Sequence, residues 1–200
     1  MSRTPYVPLS EFKLPPKPKA AIYIDDSNLY HIGKVTGWMS DYKKIYKWVA
    51  SLNTVVHARI YMGIPKYEPA RTISEAMKGY FEKNGFKITS KELKKLRDPH
   101  DPKGFKNKCN FDVEIHDEVM EDLRDVDIVY ITSGDSDFIR TKDKVLKSQK
   151  HIKFLAYELN CASEIRYGSW FQSLDEIRSE VERKPSLITE KPDVKSGEMA

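Results

Sequence analysis

The chain has 200 residues, enough for one domain with a real core and too few for two large ones. A hydrophobic fraction of 40% supports folding, and a formal net charge of +4 falls well short of a histone-like tail or a polybasic membrane anchor. No run of about 18 apolar residues is present to cross a membrane, and the two cysteines, Cys109 and Cys161, match neither a zinc spacing nor a disulfide framework.

Residues 1–19 carry five of the eleven prolines and read as an extended or disordered arm. They contain no apolar signal segment, so the expected compartment is a reducing cytoplasm. The folded domain is expected over 20–183, with a polar tail over 184–200. The apolar run 20–24 reads as a buried strand ending on Asp25-Asp26-Ser27-Asn28. Ile45, Trp48 and Val49 stand at helical spacing after a candidate N-cap at Asp41. Residues 55–63 form a second strand. Over 68–84, Ile73, Met77, Tyr80 and Phe81 line one face of a helix that Gly85 can end. Residues 86–90 are a third, short strand. A basic loop follows, with Pro99, Pro102 and Gly104 breaking regular structure. Phe111, Ile115, Val119 and Leu123 then step by four along a helix over 110–123. Residues 127–133 are the most apolar strand, a helix runs from the Gly134–Phe138 turn to about 148, and 151–157 is a fifth strand before one or two final helices. Strands alternating with helices predict an α/β fold with a parallel sheet covered on both faces.

The average charge conceals a local contrast. Residues 91–108 hold seven Lys/Arg against three Asp/Glu, whereas 112–127 hold eight Asp/Glu against one Arg. The acidic run as a whole reads as a solvated helical face.

In parallel sheets, sites form beyond the carboxyl ends of the strands, near the point where strand order reverses. Two acidic clusters fall at such ends, Asp25-Asp26 with Asn28 after the first strand, and Ser133-Gly134-Asp135-Ser136-Asp137 after the fourth. Each aspartate taken alone suits a helix N-cap. Brought together they repel, and a divalent cation is the usual remedy. Oxygen donors without a Cys/His set favour Mg²⁺ or Mn²⁺ over zinc. Metal held by aspartates suits phosphate-ester chemistry. A haloacid-dehalogenase-like phosphatase is disfavoured, because Ser27 occupies the place where that class needs a second Asp two residues after Asp25.

Three segments carry a resemblance. YIDDSNLY at 23–30 resembles the opening motif of the NYN domain, the LabA-like branch of the PIN-like nuclease superfamily. KCNFDVEIHDEV at 108–119 resembles its middle motif, and SGDSDF at 133–138 its third. The resemblance covers about residues 19–175 and implies a three-layer α/β/α, PIN-like (Rossmann-like) fold around a central, mainly parallel five-stranded sheet. It also implies a Mg²⁺- or Mn²⁺-dependent ribonuclease that hydrolyses RNA phosphodiester bonds, endonucleolytic rather than exonucleolytic. The alternative is a non-cleaving RNA-binding or regulatory LabA-like module. By position, Asp25, Asp112, Asp135 and Asp137 look like the metal-site and catalytic carboxylates, and Asn28 their polar companion. Asp117 and Ser133 are accessory candidates. Asp26 is a departure, since the family commonly has a small residue there. Only the resemblance selects Asp112 from the acidic run. Lys94, Lys95, Arg97, Lys103, Lys106 and Lys108 are then candidates for tracking an RNA backbone. The expected partners are RNA and a further copy of the chain, with no membrane.

Overall fold

The first strand is the hub of the molecule. In a computed structural model describing residues 16–97, 104–159 and 161–184, β1 (Lys19–Asp25) is buried along nearly its whole length. Ala20, Ile22 and Ile24 face one apolar cluster, whereas Ala21 and Tyr23 face another. A strand can be apolar on both faces only when both are covered, which is the parallel-sheet pattern expected of 20–24.

The other elements are α1 (Asp26–Thr36), α2 (Tyr42–Leu52), β2 (Thr54–Ile64), α3 (Ala70–Lys83), β3 (Lys87–Glu92), β4 (Lys94–Arg97), β5 (Phe105–Lys108), α4 (Asp112–Asp122), β6 (Ile128–Ile131), α5 (Ile139–Lys147), β7 (His151–Ala156), α6 (Ser163–Arg166), β8 (Phe171–Ser173) and α7 (Arg178–Val181). Six strands form one sheet in the order β3-β2-β1-β6-β7-β8, and every neighbouring pair is parallel. Leu29 of α1, Ile45 and Val49 of α2, Phe81 of α3 and Val181 of α7 fill the core on one face. Ile115 and Val119 of α4, Val145 of α5 and Ile165 of α6 fill the core on the other. This is the expected three-layer α/β/α architecture, with six strands in place of five. The extra strand, β8, is only Phe171–Ser173, too short and too polar to announce itself.

Two further expectations change. The basic segment is not simply a loop: β4 and β5 pair antiparallel, with Lys94 opposite Lys108 and Arg97 opposite Phe105. The face proposed for α3 is buried only in part. Phe81 is buried, whereas Ile73 and Tyr80 are exposed, because α3 covers the outer edge of the sheet.

The acidic run is also not wholly solvated. Asp122 is buried and accepts a bidentate pair from Arg59 of β2, with Nε at 3.0 Å and Nη2 at 2.7 Å, and a 2.7 Å hydrogen bond from the Tyr23 hydroxyl. One turn earlier, Glu118 lies 2.8 Å from Arg59 Nη1 and accepts from the Tyr61 hydroxyl at 3.0 Å. Burial, then the adjoining carboxylates, push the Tyr23 and Tyr61 hydroxyls far above their ordinary pKa, so both remain donors. His57 Nε2 lies 3.8 Å from Asp122 on the same side. The network ties the C-terminal half of α4 to the two central strands.

Removing one partner leaves the others buried and unpaired. Asp122→Ala is therefore expected to lose about 3–5 kcal/mol of stability in urea unfolding, and Asp122→Asn distinctly less. Equal unfolding midpoints for Asp122→Ala and wild type would refute this role for the network.

Candidate acidic site at the sheet edge

Asp25 is the last residue of β1 and the N-cap of α1. Its Oδ1 accepts from the Ser27 hydroxyl at 2.7 Å and the Asn28 amide at 3.2 Å. Its own amide donates to Thr132 Oγ1 at 3.0 Å, and the Thr132 amide donates to the Tyr23 carbonyl at 2.9 Å. The ends of β1 and of the neighbouring strand β6 are therefore laced together. Burial raises the Asp25 pKa, against the lowering effect of Ser27, Asn28 and the Ser133 hydroxyl.

The chain turns sharply after β6. Ser133 is buried, and its Oγ accepts from the Asp135 amide at 3.3 Å. Gly134 packs against Cys161: a Cβ there would lie 3.0 Å from Cys161 Cα, so the Cys161 backbone would have to give way by a few tenths of an ångström. The Ala162 amide donates to the Gly134 carbonyl at 2.9 Å, which holds the turn from behind. Asp135 then caps a 3-10 turn over Ser136–Phe138, accepting from the Asp137 amide at 3.1 Å. Asp135 and Asp137 are exposed, while Phe138 anchors the turn in the core.

Asp112 arrives from a third element. It opens α4, and its amide donates to Asn110 Oδ1 at 2.8 Å, an Asx turn at the helix start. Burial raises the Asp112 pKa first, and the charges of Asp135, Asp25 and Asp137 raise it further, against the Asn110 side chain. These acids lie close enough to act on one another, so α1, α4 and the turn after β6 converge at the carboxyl edge of the sheet. Asn28 lies half-buried in the first turn of α1, with no hydrogen bond to its side-chain amide among the described residues.

Two accessory candidates stand apart from this group. Asp26 accepts from the Tyr42 hydroxyl of α2 at 2.6 Å, which ties it to the packing of α1 on α2. Burial and the Asp25 charge raise its pKa, while Tyr42 lowers it. Asp117 is exposed on α4, next to His116. The His116 ring is itself engaged on α5, with Nδ1 2.8 Å from Thr141 Oγ1 and Nε2 3.0 Å from Lys144 Nζ.

Among the described residues, no three His, Cys, Asp or Glu side chains are already gathered as a metal site. The donor chemistry nonetheless fits a hard divalent cation: the ligands available are all oxygens, and their charges oppose one another.

Of the basic candidates, Lys94, Lys95, Arg97 and Lys108 are exposed on the hairpin. Lys106 belongs to β5, and Lys103 lies outside the described residues. Lys91 is engaged in packing: it pairs with Glu114, donates to the Asn110 carbonyl at 3.1 Å and sits 5.0 Å above the Phe111 ring. Sequence reasoning missed Asn110 and Thr132. Asn110 had a visible signal, an Asx residue two before a helical Asp. Thr132 had none, since its role depends on which strand lies beside β6.

No helix among the described residues is long and apolar enough to cross a membrane. A protein of unknown function from Vibrio parahaemolyticus shares the fold, with a TM-score of 0.62 at 22% identity over 86% of this chain and all of that one. The low amplitude and bright protein LabA of Synechococcus elongatus is 25% identical over 178 residues, covering 88% of this chain and 91% of LabA. The NYN domain model matches residues 19–169, from the first residue of β1 to beyond α6 and across all three acidic segments, and the chain belongs to the NYN domain family.

Proposed function

We propose that the protein is a divalent-metal-dependent ribonuclease. What supports this reading is placement: Asp25 ends β1, Asp135 and Asp137 follow the adjacent strand β6, and Asp112 opens α4, its pKa raised by burial and then by the charges of the other three. Such mutual repulsion destabilises the fold unless it serves a ligand of opposite sign.

Asp25, Asp112, Asp135 and Asp137 would hold Mg²⁺ or Mn²⁺, which when bound lowers the pKa of water and neutralises charge at a phosphate. Asp25 is the fixed member, locked by Ser27 and Asn28. Asp135 and Asp137 are exposed, and the Asp135 carboxylate keeps one oxygen beyond the Oδ1 that caps the turn. The Asn28 amide group is suited to orient a phosphate oxygen without adding negative charge. Ser133 supports the site by accepting from the Asp135 amide, and its hydroxyl lowers the Asp25 pKa. Lys94, Lys95, Arg97 and Lys108 supply the positive surface that a polyanion needs, independent of base sequence.

The exposed basic side chains of the hairpin also favour a second reading, in which the protein holds RNA in a regulatory role without cutting it. The two readings part in one assay. Labelled RNA is expected to be cleaved with Mn²⁺ or Mg²⁺, at internal positions, and not in EDTA. Asp135→Asn is expected to lower the rate at least about 100-fold, since even residues behind metal ligands cost up to that much. Activity that survives EDTA or Asp135→Asn would sink the nuclease reading. Salt-sensitive RNA binding with no cleavage under any divalent metal would establish the second.

Stability supplies an independent check. Saturating Mn²⁺ is expected to stabilise the wild type by about 2.7 kcal/mol at a hundred times its Kd. Asp112→Asn removes one repelling charge, so the metal-free variant is expected to be more stable by about 0.5–2 kcal/mol and to lose most of the Mn²⁺ effect. Thermal unfolding with and without Mn²⁺ reads both. A metal-free Asp112→Asn chain that melts below wild type would contradict the stored repulsion.

A further inference from the structure

Past the carboxyl end of β2, the edge of the sheet carries an open cleft of about 560 Å³. It lies between the turn after β2 and the base of the hairpin, and Lys66, Tyr67, Glu92, Lys94 and Lys95 are among its lining residues. Tyr67 is 73% exposed. The turn that presents it is held firmly. The Arg71 amide donates to the Tyr67 carbonyl at 3.2 Å, and the Glu68 carboxylate accepts from the Thr72 amide at 3.1 Å and hydroxyl at 2.6 Å. The Tyr67 ring stands on this turn at the start of α3, largely exposed, with the Lys66 ammonium 5.8 Å from its centroid.

A second cavity of about 230 Å³ adjoins the first and shares Glu92 and Lys94 with it. Lys91, Leu96, Lys108 and Asn110 also line it. Asn110 is the residue that receives the Asp112 amide. The two cavities therefore form a track whose lining runs from Asn110, two residues before Asp112, past Lys108 and Lys94, to Lys95, Lys66 and Tyr67. Gly63 of β2 leaves room for the Leu93 side chain at the base of the hairpin, which a Cβ would push aside. The Leu93 amide also donates to the Ile64 carbonyl at 2.9 Å.

We propose that this track is a binding groove for single-stranded RNA, in which Tyr67 stacks on a base while Lys66, Lys94 and Lys95 contact the backbone phosphates. The proposal rests on the ribonuclease reading for the direction of the track and goes beyond it in naming the strand state and the residues that select it. Lysines alone would attract any polyanion. An exposed ring among them selects unpaired bases, because bases in a duplex are already stacked on one another and present no free face. An acidic protein segment would use the lysines and add no stacking partner to the Tyr67 ring beyond Lys66.

The test uses the full chain in EDTA, so that neither metal nor cleavage contributes. Anisotropy of a labelled single-stranded oligouridylate of about 12 nucleotides, within the usual site size of such grooves, is compared with that of a duplex RNA of the same length. Tyr67→Ala is expected to weaken single-strand binding roughly tenfold and to leave duplex binding unchanged, while Tyr67→Phe keeps wild-type affinity. Lys66→Ala is expected to weaken single-strand binding and to reduce its salt slope by roughly 0.7. Wild-type affinity for Tyr67→Ala, or an equal loss on duplex, overturns the proposal. So does the absence of RNA binding at low salt, which would leave the cleft to an acidic protein segment. The Tyr67 ring is exposed, so a matching melting curve suffices to show that the variant is folded. Cleavage is scored separately: a wild type that never cuts leaves the Tyr67 result standing, and a Tyr67→Ala chain that binds like wild type fails this proposal alone.

Discussion

The ion pair between Arg59 and Asp122 is the contact on which the site depends. It is buried, bidentate and shared with the Tyr23 hydroxyl, while Glu118 takes the remaining guanidinium nitrogen. Buried ion pairs add little net stability over a packed apolar core, but they tolerate few alternative arrangements. Here the pair fixes the rotation and height of α4 against β1 and β2. Asp112, at the opposite end of the same helix, is thereby set beside the ends of β1 and β6. A helix packed by Ile115 and Val119 alone would have fewer constraints against rotation, because apolar contact is not directional.

The edge of the sheet concentrates opposite charges in adjoining places. Acids from three elements face one another around Asp112, and a basic hairpin stands next to them. Lys91 and Asn110 form the joint. Lys91 grips the start of α4 through Glu114 and the Asn110 carbonyl, and Asn110 in turn receives the Asp112 amide. This joint spends one cation of the basic segment on structure and leaves Lys94, Lys95, Arg97 and Lys108 facing solvent. A cation bound among the acids would make the whole edge more positive, in keeping with a polyanionic ligand.

Much of this was legible in one dimension. The double-faced apolar run 20–24, the i, i+4 stepping of Ile115, Val119 and Leu123, and the acids placed after apolar strands are local patterns with local causes. They set the class of fold and two of the three acidic segments. The failures have equally physical reasons. β8 was missed because three residues carry no periodicity. The hairpin was hidden because two antiparallel strands exposed to water need no apolar alternation. The acidic run passed for a solvated face because the partner that buries Asp122 is Arg59, 63 residues away in sequence.

By itself the sequence determined that strands and helices alternate, that carboxylates end the central strands, and that basic and acidic segments adjoin, since periodicity, capping and charge are written residue by residue. Motif resemblance added Asp112. Only the tertiary structure decided which acids feel one another, that Asp26 turns to Tyr42 and Lys91 to Glu114, and that Tyr67 stands beside Lys94 and Lys95. Those relations depend on strand order and on the seating of α4 and the hairpin. Both are set by contacts between residues far apart in the chain, which no local pattern encodes.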